Sequence, residues 1–226
     1  MITTTTQGIY AGVCLSTARP TTPYLGQVIF ETDTNKMKVW LGSVWSDGYT
    51  HVYTPPGDFE SIATTTVGVG GTGTITFSSI PSGYKHLQIR AFGQTNRGSV
   101  AYDGAQMRIN GDTASNYSGH TLAGTGATAL SGSLSTTYMQ LPWVGFGTTT
   151  GSNWGGAVID ILDYLDTNKY KTVRALGGAD GNGSGYVTLT SGNWRSTSAI
   201  TSVSFTPDGG TTFSQYSSFA LYGIKG

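Results

Sequence analysis

Apolar and polar residues alternate in short runs along this chain. Two runs, 27–31 and 36–41, flank the polar segment Thr32-Asp33-Thr34-Asn35, which predicts a β-hairpin. Val28 and Phe30 share one face of it, and Met37, Val39 and Leu41 can meet them from the partner strand. Trp40 and Trp45 add two large rings, and because a two-stranded hairpin is marginal in water, this element is expected to dock on something else. Later runs predict strands at 74–78, 85–92, 106–110, 138–146, 157–165, 171–176, 186–190, 200–206 and 219–224. In 85–92 the alternation is clean: Leu87, Ile89 and Ala91 lie on one face, His86, Gln88 and Arg90 on the other. The run 106–110 ends at Asn110-Gly111, a hairpin-turn dipeptide.

One run is ambiguous. Val158, Ile161, Leu162 and Leu165 fall at helical spacing. The run is short, follows Gly155-Gly156 and is rich in β-branched residues, so it reads as a strand apolar on both faces. One face would meet the core, the other a second sheet or a neighbouring subunit. Many short strands at such intervals predict an all-β chain whose larger part, 59–226, is an antiparallel, jelly-roll-like sandwich. Pro55-Pro56 cannot continue a central strand, which places a linker at 49–58 and an N-terminal arm and hairpin module at 1–48. The Thr-rich residues 1–18 read as an ordered arm or as a solvated tail.

Composition agrees with this picture. The 34 Gly are about twice the usual share, and only 11% of residues are charged. Lys+Arg and Asp+Glu balance at 12 each, so neither nucleic acid nor an anionic membrane is an expected partner. Five Trp, 13 Tyr and eight Phe argue for a packed fold against disorder. Cys14 is the single cysteine, which excludes an intrachain disulfide; a small buried apolar role suits it better than a reactive thiol. Residues 1–7 lack the basic start and apolar core of a secretion signal, and no apolar run reaches membrane-spanning length. The expectation is synthesis in a cytoplasm and release by lysis.

Candidate chemistry is sparse. Gly68-Val69-Gly70-Gly71-Thr72-Gly73 matches the dinucleotide-binding string, but strand-like Thr74-Ile75-Thr76-Phe77 follows where a helix must open. Asp180-Gly181-Asn182-Gly183-Ser184-Gly185 copies the first half of a calcium loop, yet Ser191 stands where a bidentate Glu is needed; a Gly-rich strand connection is the default. His51, His86 and His120 lack metal-ligand spacing, and His86 falls on the polar face of its strand, open to solvent. Asp160 and Asp163 fall on opposite faces of a strand, while Asp163 and Asp166 can approach at the turn, where local backbone bonds are the simpler use. No catalytic set, cofactor site or metal site is expected. Trp143, Trp154 and Trp194 sit among Gly, Ser, Thr and Asn, where rings can stack on a sugar or else pack at sheet ends and subunit contacts.

The stretch from Arg19 to Trp45, with Arg-Pro-x-x-Pro-Tyr-x-Gly-Gln-x-Ile-x-Glu-Thr-Asp-Thr-Asn-Lys-x-x-x-Trp-x-Gly-Ser-x-Trp, resembles a short module of bacteriophage tail-fibre and virion appendage proteins. Ser218-Phe219-Ala220-Leu221-Tyr222-Gly223-Ile224-Lys225 resembles the closing strand of β-sandwich tip domains on similar proteins, as does the stretch from Ser79 to Arg90. The resemblance implies a non-enzymatic virion protein, a short fibre or capsid decoration, with three copies about an axis. Anchoring to capsid or tail proteins would fall to Tyr24, Phe30, Trp40 and Trp45. Two alternatives are a tail-fibre protein that recognises a host surface glycan and a free carbohydrate-binding module. A glycan-degrading tailspike would need a larger cleft and a carboxylate pair.

Overall fold

All regular structure among the described residues is β-strand; no helix occurs there. The computed structural model describes residues 12–47, 57–98, 100, 102–148 and 154–226, with the backbone alone for 142–148. The chain divides into two compact units, residues 1–55 and 56–226. The first part of the expected arm, 1–11, and most of the expected linker, 49–58, lie outside the described residues.

In the first unit, β1 (Gly12–Cys14), β2 (Val28–Glu31), β3 (Lys36–Trp40) and β4 (Trp45–Asp47) stand in that order in one sheet. β1 runs parallel to β2, and the other pairings are antiparallel. The turn between β2 and β3 holds Asn35 at φ 55°, a left-handed position that Asn tolerates. Val28 pairs with Val39 and Phe30 with Met37, yet that face is not the buried one. Among the described residues of this unit the buried side chains are Ile29 and Glu31, on the opposite face. Gly12 lies beside Ile29, and Arg19, from the segment joining β1 to β2, reaches Glu31 with Nε–Oε1 at 2.5 Å. Alternation within two strands pairs their faces correctly but cannot say which face a preceding segment will cover.

The second unit contains β5 (Phe59–Thr66), β6 (Ile75–Phe77), β7 (His86–Thr95), β8 (Tyr102–Ile109), β9 (Tyr117–Gly124), β10 (Ala129–Thr136), β11 (Met139–Thr148), β12 (Gly155–Leu162), β13 (Lys171–Asp180), β14 (Gly185–Trp194), β15 (Val203–Pro207) and β16 (Ser218–Ile224). One antiparallel layer runs β10-β9-β14-β13-β12-β7-β16-β5, and a smaller one runs β11-β8-β15-β6. A short parallel pairing of Gln94 and Thr95 with Gly147 and Thr148 joins them. β11 also lies across β13 and β14 without hydrogen-bonding to them, so the layers face each other. Between them pack Leu87, Ile89 and Ala91 of β7, Ile159 and Ile161 of β12, Met107 and Ile109 of β8, and Phe205 of β15. Phe219 closes one end of this core against Phe205 and Phe213, at ring separations of 5.4 and 5.0 Å.

The ambiguous run is a strand as far as Leu162, and Asp163, Tyr164 and Leu165 form the turn that follows it. Ala157, Ile159 and Ile161 point to the core and Val158 points away from it. Asn110-Gly111 does form a tight turn, with φ of 51° and 67°, but no hairpin: β8 pairs with β11 and β15, whereas β9 pairs with β10 and β14. The Asn110 carboxamide instead receives N–H bonds from Thr201 and Ser202 and donates to the Ala199 carbonyl, so the turn carries the chain from one layer to the other. Alternation does not predict β5, β9 or β10, whose Ser, Thr and Gly positions carry little apolar contrast.

Candidate functional site

Of the residues proposed for anchoring, Phe30, Trp40 and Trp45 lie on a small, weakly buried sheet and Tyr24 on the segment between β1 and β2. Tyr24 is 70% exposed; Phe30, Trp40 and Trp45 are half-buried. The two indoles pack on each other at 5.4 Å and 55°, on the Ile29 side. Charge pairs stiffen that side. Arg19 and the Thr34 hydroxyl bond the Glu31 carboxylate and hold its pKa below the usual range, the Arg19 bond being the larger cause. Lys38 does the same for Asp47 at 2.5 Å, with Lys36 at 3.6 Å. Across β1, β2 and β3, Val13, Phe30 and Met37 lie opposite one another on the other face; Val13 is 70% exposed.

The three Trp proposed for glycan contact do not converge. Trp154 lies flat against Phe92, ring to ring at 5.5 Å and 16°, half-buried. Trp194 is a core residue, 3% exposed, with its Nε1–H donating to Asp112 Oδ2 at 2.7 Å, so it is unavailable for a sugar. A polar sequence neighbourhood hid it because its strand, β14, turns alternate residues inward. Trp143 lies on β11, and its side chain is outside the described residues.

The remaining motifs resolve into turns and loop ties. Gly68 to Gly73 connect two strands, β5 and β6. Asp180 accepts the Asn182 N–H at 2.7 Å, and Asn182 and Gly183 take positive φ, which makes the calcium-like string a hairpin turn between β13 and β14. Among the described residues, no three His, Cys, Asp or Glu side chains cluster as a metal site would require. His51 lies outside the described residues and His120 is exposed, but His86 is not simply solvated: its Nδ1 accepts the Asp163 N–H at 2.9 Å. Asp163 in turn sits against Lys169 and Lys85, which lower its pKa to about 2, the Lys169 bond being the largest cause. Lys169 also reaches Asp166 at 3.4 Å, so the two carboxylates share a cation and do not face each other as an acid–base pair.

Two buried polar residues escaped notice in the sequence. Asp103 accepts bonds from Thr95 Oγ1 at 2.8 Å, Arg97 Nη1 at 3.1 Å and the backbone N–H groups of Gly209 and Gly210 at 3.0 and 2.9 Å, tying two loops. Lys171 ties two others, donating to the carbonyls of Asp166, Lys169 and Thr197 at 2.5, 3.1 and 3.2 Å.

What remains is surface. On the outer face of the larger layer, Val158, Leu176, Leu189 and Leu122 stand directly opposite one another across β12, β13, β14 and β9. The three leucines are each more than half exposed. Phe92 and Val187 extend the apolar area toward Trp154. At the open end of the sandwich a groove of about 170 Å³ lies between β9–β10 and β11, with Ala123, Leu130 and Leu134 beside the hydroxyl-bearing Thr121, Ser133 and Tyr138. No protein-family model, no curated protein and no solved structure matches the chain. The described surface carries an apolar sheet face on each unit and one uncharged groove on the second.

Proposed function

We propose that this chain is a structural, binding protein of a bacteriophage virion, a short fibre or capsid decoration whose first unit assembles and anchors and whose second unit is a jelly-roll-like tip. The observation that carries the reading is the poverty of the first unit's core. Among its described apolar side chains only Ile29 is buried, while Val13, Leu15, Tyr24, Leu25, Met37, Leu41 and Val44 are exposed. A sheet so exposed gains stability by meeting other copies or a larger particle. The motif resemblance of residues 19–45 points the same way and supplies the expectation of three copies about an axis.

Light scattering on the purified full chain tests the assembly. A mass that is a multiple of three chains is expected, and replacing Phe30 and Met37 together by Ser should reduce it about threefold. A monomer at every concentration, unaffected by those substitutions, removes the physical support. Immunogold labelling of phage particles tests the location, and unlabelled particles would refute it. A host-glycan role for the tip has one observation in its favour, the Phe92–Trp154 ledge beside the apolar outer face. Glycan-array binding that Trp154→Ala abolishes would support it.

A further inference from the structure

We propose that β10 is a pairing edge for a second copy of this chain, the two strands running antiparallel about a two-fold axis at Gly132. An outermost strand offers unpaired N–H and C=O groups, and proteins ordinarily blunt such edges with shortness, charge, proline or a bulge. The other edges of the second unit follow that rule. β6 has three residues. β11 contains Pro142, and its register breaks between Leu141 and Phe146. β5 carries Glu60, bound to Lys225 at 2.8 Å and to the Tyr84 hydroxyl at 2.9 Å, and its register shifts opposite Leu221 and Tyr222. β10 has none of these devices. Its eight residues, Ala-Leu-Ser-Gly-Ser-Leu-Ser-Thr, hold no charge and no proline, and they pair with β9 without a break.

The sequence of this edge is also self-complementary. Leu130-Ser131-Gly132-Ser133-Leu134 reads the same in both directions. An antiparallel pair centred on Gly132 therefore sets Leu130 opposite Leu134 of the second copy and Ser131 opposite Ser133, each twice, as an isologous contact requires. Leu130 and Leu134 stand opposite Ala123 and Gly119 of β9, on the core side of the layer, yet they are 38% and 40% exposed. Pairing brings the four leucines of two copies together at the open end of the sandwich, beside the groove. The palindrome selects a second copy over an unlike partner, since it gives an asymmetric strand no advantage. The inference is independent of assembly through the first unit.

Cross-linking of the full chain reads the register directly. With Cys14→Ser as background, Gly132→Cys places two thiols at directly opposite positions, where Cα atoms are about 4.5–5.5 Å apart and within disulfide reach. No atom outside its chain neighbours lies within 4 Å of a Cβ at Gly132, so the residue fits. A covalent dimer is expected under mild oxidation. Ser135→Cys, whose two copies would stand about 20 Å apart, should give none. Sedimentation across concentration supplies the second readout: Leu130→Lys with Leu134→Lys should weaken the two-fold association at least tenfold, and Leu130→Glu with Leu134→Lys should restore it through opposed charges. If G132C cross-links no faster than S135C, or the double-lysine variant associates like the wild type, the pairing is wrong. Association that responds only to Phe30 and Met37 substitutions would overturn the β10 pairing while leaving the proposed function standing. A monomer under all conditions would remove both.

Discussion

Lys171 is buried, and its ammonium donates to three backbone carbonyls from two loops, an arrangement that matches its three N–H groups to three acceptors. Removing it leaves those carbonyls unsatisfied. Lys171→Met is expected to cost about 2–4 kcal/mol, measured by urea unfolding. Gly192 acts through space alone: a Cβ there would lie 1.9 Å from Met139 Sδ, in the packed interior between β14 and β11. Gly192→Ala should therefore destabilise by about 1–3 kcal/mol, and shortening Met139 in the same chain should recover part of the loss. Neither role was legible in the sequence. A lysine on a strand reads as a solvated side chain and a glycine as a weak point, because the groups that use them are 26 residues away in one case, at Thr197, and 53 in the other, at Met139.

At the scale of elements, the loop between β12 and β13 concentrates charge: Asp163 is held by Lys169 and Lys85 with its pKa at about 2, against an ordinary 3.8. A carboxyl lowered in the folded state contributes stability that is complete above its unfolded value and is lost as pH falls through the folded one. The unfolding midpoint should thus fall between about pH 4 and pH 2, and Asp163→Asn should flatten that limb while lowering stability at neutral pH. Element types were largely readable. The runs around 36–41 and 85–92 are strands because apolar residues alternate there with polar ones, and 157–162 is one because β-branched residues dominate it. β9 and β10 were not readable, since Leu130 and Leu134 are separated by Ser and Gly that pattern alone assigns to a loop. Asn110-Gly111 shows the complementary limit: its turn geometry was local and correct, while its connection depended on which layer had room for the next strand.

For the whole molecule, the contrast between the units predicts unequal protection. The first buries Ile29 and Glu31, whereas the second packs a continuous interior from both layers. Amide hydrogen exchange at low protein concentration should be fast across β1 to β4 and slowest in β7, β12 and β13. Equal protection in both units would mean that the first is held by something its own core does not supply. By itself the sequence determined that this chain is built of strands and turns, because side-chain alternation and positive-φ residues act over a few positions. It also determined which strand faces pair in the first unit, since register follows from the turn between β2 and β3. Only the tertiary structure decided which of those faces is covered, that Trp194 belongs to the interior, and that one uncharged strand is left as an open edge. Each of those outcomes depends on segments distant in sequence arriving at one place, and local alternation carries no record of where they arrive.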